Sequence, residues 1–480
     1  MPDCGLPPVL EGQEATLAQF RWPAGTGCSQ CLVTQPERKE GSTLLGQVLK
    51  RDVVALTLSC LALCVVSGCS PAAPSDGLDS PPATVRRADD FVNSVGVNIH
   101  LSYFRTPYGL DWESVVKPKL LALGVRHVRD AGTVVSDDSW MATVYGRMRE
   151  LSDRGVRFNL IMLPAQNVTD YTHLQQFDRL MSYAAPVVEA FEGLNEHDGS
   201  QRPNWVTEVR AFQRVLYTTV KHDSRTAGMP VYGPSMAHAG NASAVGDLSA
   251  SMDFGAIHPY PGGGPPMTNV GDHERKVRVM TNSRPLVVTE TGYHTAMSWN
   301  GPHPAVSEQA MGRYVPRMFL ELFRSGIARS YLYEFIDQGS STAEREQRFG
   351  LLRWDGADKP AYVALKNLIA LLQDPGPAFS VGRLEYSLSG DASGVHQLVL
   401  QKRDGRFYLI LWQDASSFDL ERRADATVAS KPLEVKLTAP AAQVRIFTPL
   451  TSATAQQQWQ QAALLSVNVP DHPLVIEITP

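Results

Sequence analysis

Glu196 and Glu290 are the side chains of this sequence best placed to do chemistry. Each closes a short apolar run, in Gly193-Leu194-Asn195-Glu196 and in Val288-Thr289-Glu290-Thr291-Gly292-Tyr293. Two carboxyl groups facing across a gap can divide labour. One, protonated, hands its proton to a departing oxygen, while the other, ionised, attacks or assists at the adjoining carbon. That division is what cleavage of a glycosidic bond demands. A single Glu at a strand end is as often a salt-bridged surface group. Here Asn195 stands directly before one of the two, and Arg129, His258, Tyr260, Tyr333 and Glu334 follow neighbouring runs.

Those runs belong to a repeat. From Phe91 to about Gln373 a short β-branched stretch is followed by an amphipathic helical stretch, in units near the size of one βα step of a parallel sheet. The expected strands are Val95 to Leu101, Val125 to Asp130, Arg157 to Leu163, Ala190 to Asn195, Pro230 to Pro234, Phe254 to His258, Leu286 to Glu290 and Arg329 to Phe335. Between them, apolar residues recur at three- and four-residue spacing, as in Met311, Tyr314, Met318, Phe319, Leu322 and Phe323 before Gly326. Eight units predict an α/β fold, a closed (β/α)8 TIM barrel over residues 91–373. Its reactive groups would sit at the carboxyl ends of the strands. An open doubly wound sheet is the alternative, but no Gly-rich phosphate loop follows the first strand.

Past Asp374-Pro375-Gly376-Pro377 the pattern turns to period-two runs: Gly394 to Gln401, Phe407 to Trp412, Leu433 to Leu437, Gln443 to Phe447 and Leu474 to Ile478. They predict a small C-terminal antiparallel β-sandwich over 374–480, with no catalytic constellation of its own.

The motifs resemble the retaining glycoside hydrolases of clan A, which carry an Asn-Glu pair after the fourth barrel strand and a Glu after the seventh. The matching segments are Gly193 to Glu196, Ile257-His258-Pro259-Tyr260 and Val288 to Tyr293, with Phe349-Gly350-Leu351 and Lys359-Pro360-Ala361-Tyr362 leading into the last helix. The pattern is similar to family 39 and to family 5 alike. The resemblance implies that Glu196 is the acid/base, Glu290 the nucleophile and Asn195 a partner of the sugar 2-hydroxyl. It further implies that Arg129 and Tyr260 orient Glu290 and keep it ionised, and that His258 lines the same subsite. Many clan members place a Trp after strand eight, whereas this chain has Tyr333-Glu334, expected as substrate-binding residues.

Trp112, Trp140, Trp205 and Trp299 fall in predicted loops near the barrel mouth, where an indole face could stack on a sugar or simply pack locally. Asn195-Glu196-His197-Asp198 carries metal-ligand types. Ligands adjacent in sequence rarely converge on one ion from a strand end, so neither a metal nor any other cofactor is expected.

The chain is 43% hydrophobic and 19% charged with a net charge of −5, which suits a large buried core and gives no concentrated positive face for nucleic acid. All six cysteines lie at or before Cys69, so the body has no disulfide framework and no thiol nucleophile. Cys28 and Cys31 have a metal-like gap but no second pair to complete a site.

Lys50 and Arg51 precede an apolar run from Val53 to Val66, too short to span a bilayer and of signal-peptide size. It ends in Val66-Ser67-Gly68-Cys69, which resembles the lipobox of bacterial lipoproteins and implies cleavage before Cys69 and acylation of its thiol. The expected plan is a leader over 1–69 with the signal peptide at about 48–68, then a Pro- and Ser-rich tether over 70–90. A charged n-region normally opens the chain, so initiation near Val48 is expected. The protein is thus expected to be secreted and lipid-anchored in the bacterial cell envelope. It would be a monomer acting on an oligo- or polysaccharide. The rival readings are a non-catalytic glycan-binding lipoprotein and a transglycosylase using the same carboxylates.

Overall fold

The computed structural model describes residues 84–163, 174 and 176–480. The expected leader, Cys69 and most of the tether lie outside the described residues. The tether ends earlier than expected. Val85–Arg87 is a strand (β1) and Ala88–Val92 a helix whose Ala88, Phe91 and Val92 are wholly buried. Three residues are too few to show a period, which is why this strand is silent in the sequence.

Eight parallel strands follow: Val95–Asn98 (β2), His127–Ala131 (β3), Arg157–Ile161 (β4), Val188–Glu192 (β5), Val231–Tyr232 (β6), Gly255–Ile257 (β7), Leu286–Thr291 (β8) and Ser330–Leu332 (β9). Their order, β6-β5-β4-β3-β2-β9-β8-β7, is closed by a parallel bridge from Tyr232 to Phe254, which makes the expected (β/α)8 barrel. Inside the ring Ala190, Tyr232, Ala256, Val287 and Tyr331 pack on one another. Gly96 leaves room for this layer, since a Cβ there would lie 2.5 Å from the Tyr331 ring. The outward strand residues and the helices share a second, continuous core.

Two departures from regular pairing aim side chains into the mouth. On β8, Val288 pairs with Ser330 but Thr291 with Leu332, so this strand carries one extra residue around Glu290. A second irregularity lies between β4 and β5, where Phe158 pairs with Val188 but Asn159 with Ala190. Such bulges bend the strand and re-aim the residues after them.

The C-terminal part contains Tyr386–Gly390 (β10), Val395–Gln401 (β11), Phe407–Gln413 (β12), a two-stranded hairpin of Phe418–Asp419 (β13) and Ala424–Asp425 (β14), Lys431–Phe447 (β15), Gln457–Val469 (β16) and Leu474–Thr479 (β17). The two runs expected around Val435 and Val444 are one strand. It pairs with β10 through its first part and with β17 through its last, and its register slips between Lys436 and Ala441. The sheet thereby folds over itself, and Leu409, Leu411, Val435, Val467 and Ile476 share one apolar layer, the expected sandwich.

β1 joins the edge of this sheet parallel to β11, so the second domain borrows residues from before the barrel. The opposite face, with Leu398, Ile410 and Trp412, joins the barrel core. There the wholly buried Arg317 donates to the carbonyls of Ala415 at 2.8 Å and Asp471 at 3.1 Å, and Trp412 Nε1 donates to Glu321 at 2.8 Å. That explains why helix Glu308–Arg324 is buried on nearly every side. Among the described residues no helix is long and apolar enough to cross a membrane.

Candidate active site

Arg129, on β3 and 1% exposed, is the hub of the barrel mouth. Its Nε and Nη2 donate to the two oxygens of Glu192 at 2.7 and 2.8 Å. Nη1 donates to Asn98 Oδ1 at 2.8 Å and to Glu290 Oε1 at 2.6 Å, and Nη2 also reaches Asn195 Oδ1 at 2.6 Å. All five guanidinium donors are thereby used, and the group is fixed in one orientation. No motif points to Glu192, although it supplies the bidentate partner and also accepts from Asn159 Nδ2 at 2.7 Å. Asn98 and Asn159 could have been found as polar residues on otherwise apolar strands.

Glu290 accepts a second hydrogen bond, from Tyr260 Oη at 2.9 Å. Burial would raise its pKa, but the charges of His258 and Arg129 and the two hydrogen bonds outweigh that. Its carboxyl titrates below the ordinary carboxylate value. The His258 ring, 1% exposed at its side chain, has Nδ1 at 2.7 Å from Glu196 Oε1 and 3.6 Å from Glu290 Oε2. Its Nε2 is 2.9 Å from Thr289 Oγ1. Burial would lower the imidazole pKa, yet the charges of Glu290 and Glu196 and the Glu196 hydrogen bond win, and it lies above the usual histidine value.

β5 ends at Glu192, sooner than expected, so Asn195 and Glu196 stand beyond the strand. Glu196 has a φ of 47°, in the left-handed region that a non-glycine residue seldom occupies. Its N–H donates to the Ser235 carbonyl at 3.1 Å, and Asp198 pins the adjoining loop by accepting from the N–H groups of Ala237 at 2.8 Å and His238 at 3.0 Å. Gly193 allows the close approach behind this turn, because a Cβ would meet Gln213 Oε1 at 2.0 Å. The outcome is a partly exposed carboxyl facing His258 while Glu290 stays buried.

Glu196, His258 and Glu290 present ligand-type atoms within 4.8 Å of one another, enough to surround a small cation. Both Glu290 oxygens already accept from Arg129 and Tyr260, and a guanidinium so close would repel an added metal. The cluster suits a proton held among two carboxylates and an imidazole. His197 and Asp198 do not join it: His197 Nε2 lies 2.6 Å from Glu208 and Asp198 faces the 237–238 backbone.

Tyr333 reaches the cleft, its ring 5.6 Å from His100 and 5.3 Å from Phe349. Glu334 corrects the expectation for it. It is 0% exposed, accepts from Tyr108 Oη at 3.0 Å and Gln338 Nε2 at 3.0 Å, and has His100 Nε2 at 3.3 Å. Burial raises its pKa well above the carboxylate range, and its full burial places it beneath the cleft rather than on its surface. His100 and Tyr103, stacked with ring centroids 4.5 Å apart, had no motif to mark them.

Three of the four tryptophans are packing residues. Trp112 is 4% exposed and donates to Glu150, Trp140 lies edge-on to Phe104, and Trp205 packs on the core at the start of its helix. Trp299 lies on the loop after β8, with Arg345 5.5 Å from its ring.

No family model and no curated protein matches the sequence. Among solved structures the chain is similar to a family 39 glycoside hydrolase from Bacteroides cellulosilyticus WH2, at 16% identity and a TM-score of 0.55 over 81% of this chain and 82% of that one. It is also similar to a monomeric beta-xylosidase from Caulobacter crescentus CB15, at 14% identity and a TM-score of 0.55 over 84% and 98% of the two chains. A glucosidase from Croceicoccus marinus matches at 11% identity and a TM-score of 0.56 over 83% and 97%. At these identities the likeness establishes the barrel-plus-sandwich fold.

Proposed function

We propose that this protein is a retaining glycoside hydrolase acting on an extracellular or envelope saccharide, with Glu290 as nucleophile and Glu196 as acid/base. The observation that carries the reading is the unequal treatment of two carboxyls whose nearest oxygens lie within 4.8 Å. Glu290 is buried, held by Arg129 and Tyr260 and kept ionised, whereas Glu196 keeps an open face and shares a proton network with His258. A gap this small suits direct attack, since inverting enzymes separate their carboxyls by roughly 6.5–9.5 Å to admit a water.

In the first step a Glu290 oxygen bonds to the anomeric carbon as the glycosidic C–O bond breaks, and Glu196 gives its proton to the leaving oxygen. In the second, Glu196 takes a proton from water, the water oxygen bonds to the same carbon, and the bond to Glu290 breaks. Two inversions restore the starting configuration. Asn195, whose Oδ1 is held by Arg129 and Ser235, is left to meet a sugar hydroxyl with its amide nitrogen. The similar structures named as a glycoside hydrolase, a beta-xylosidase and a glucosidase support the same chemistry.

The decisive screen sets aryl glycosides and polysaccharides against wild type, Glu196→Gln and Glu290→Gln. Each substitution should lower kcat by on the order of a thousandfold. Equal turnover by all three proteins would end the case. The lipid anchor at Cys69 rests on the basic pair, the apolar run and the small residues before that cysteine. Cys69→Ser should move the protein from the membrane fraction to the soluble one, and an unchanged distribution would refute the anchor.

A further inference from the structure

The hairpin β13–β14 leaves the second domain and lies against the loops around the candidate active site. Its base is firm: Phe418 is 2% exposed in the barrel core, and the N–H groups of Ser417 and Phe418 donate to Tyr314 Oη at 2.8 and 3.2 Å. Its turn is closed by Asp419 Oδ1, which accepts from the N–H groups of Glu421 and Arg422 at 3.0 Å each.

Three contacts run from this hairpin to the barrel mouth. Arg423, in the left-handed region at φ 53°, donates from Nη1 to Asn300 Oδ1 at 3.0 Å and from Nη2 to the carbonyl of Trp299 at 3.2 Å and to that of Met297. Leu420 lies over the 261–264 loop, its Cδ2 2.7 Å from where a Cβ on Gly263 would be. Tyr314, which anchors the hairpin, stacks on Tyr293 at 5.0 Å, and Tyr293 Oη donates to the Gly264 carbonyl at 3.0 Å.

Both loops are continuous with the catalytic pair's surroundings. The 261–264 loop follows Tyr260, whose hydroxyl holds Glu290. The 297–304 loop carries His303, with its ring 5.9 Å from Tyr260, and Trp299, with Arg345 over its ring. Arg345 is bonded to Glu346 at 2.8 Å. The Glu346 side chain, held by Arg345, keeps about half of its surface exposed.

We propose that the β13–β14 hairpin is a clamp by which the second domain positions the outer wall of the cleft, formed by Trp299, Arg345 and Glu346, as a subsite for a sugar beyond the one cleaved. This rests on the glycosidase reading and adds to it a substrate class: chains of several sugars rather than terminal aryl glycosides. Arg423 and Leu420 are positioning residues. A guanidinium on two carbonyls and an amide oxygen fixes a loop that apolar burial alone leaves free to slide.

The test compares wild type, Arg423→Ala, Arg423→Lys and Leu420→Ser. Amide hydrogen exchange should quicken about tenfold at 297–304 in Arg423→Ala and at 261–264 in Leu420→Ser, with the barrel strands unchanged. On xylotetraose and laminaritetraose, KM should rise about tenfold in Arg423→Ala, while kcat on 4-nitrophenyl β-xyloside and β-glucoside stays within about twofold. Arg423→Lys should recover part of the loss. Unchanged exchange, or equal losses on short and long substrates, would overturn the clamp. Because exchange needs no substrate, a wild type inactive on all four compounds would count against the glycosidase reading alone.

Discussion

Arg129 and Glu290 are joined at 2.6 Å across the barrel mouth, and the same guanidinium is held from behind by the buried Glu192. The carboxylate proposed as nucleophile therefore borrows its charge balance from strands β3 and β5. Removing the guanidinium leaves Glu192 buried without its cation, as well as Glu290.

Arg129→Met should lower the stability of the folded protein by about 3–5 kcal/mol, the cost of breaking a buried ion pair from one side. Where the variant folds, the acid limb of kcat/KM should move to higher pH, because Glu290 keeps its burial and loses a charge that held its pKa down. Urea melts and a pH–rate profile check the two parts. An unmoved acid limb would show that Arg129 does not set the ionisation of Glu290.

His258 gives a dependence of the opposite sign. Its folded pKa is raised, so its contribution to stability is complete below the ordinary histidine value near 6.5 and is lost as pH rises through the folded pKa. The stability difference between wild type and His258→Gln should be largest at pH 5–6 and shrink above the folded pKa. Denaturation midpoints for both proteins across that window decide the matter, and a difference that grew with pH would contradict the shared-proton picture.

Glu334 is buried, its pKa raised by that burial, with Tyr108 and Gln338 as partners. Glu334→Gln keeps size and hydrogen-bonding capacity and should cost less than about 1 kcal/mol. Glu334→Ala leaves the buried Tyr108 O–H without its acceptor and should cost about 1–3 kcal/mol. Thermal melts of both variants distinguish this from a substrate-binding role, which would spare stability and raise KM.

The barrel was legible because its strands are apolar runs bounded by polar ends, and eight in succession admit few architectures. Glu196, Glu290, Asn195, His258 and Tyr260 were legible because they follow those runs. Depth was not: Tyr333 and Glu334 are neighbours in sequence, yet one lines the cleft and the other lies sealed beneath it. Of the partners of Arg129, Glu290 was expected from the resemblance, whereas Asn98 and Glu192 were hidden because they lie far from it along the chain and no motif marks them. In the second domain Pro440 reads as a break, although β15 runs through it with a slipped register. The outer half of β16, Gln457-Gln458-Trp459-Gln460-Gln461, is exposed and shows no alternation to reveal a strand.

The stereochemistry of the first product tests the central claim most directly. A proton NMR time course should follow the anomeric signals while wild type cleaves whichever glycoside the screen identifies. If Glu290 attacks the anomeric carbon and Glu196 serves as acid and then base, the anomer released first has the configuration of the substrate and mutarotates only later. First release of the opposite anomer would mean a single displacement by water, and would contradict the assignment of Glu290 as nucleophile.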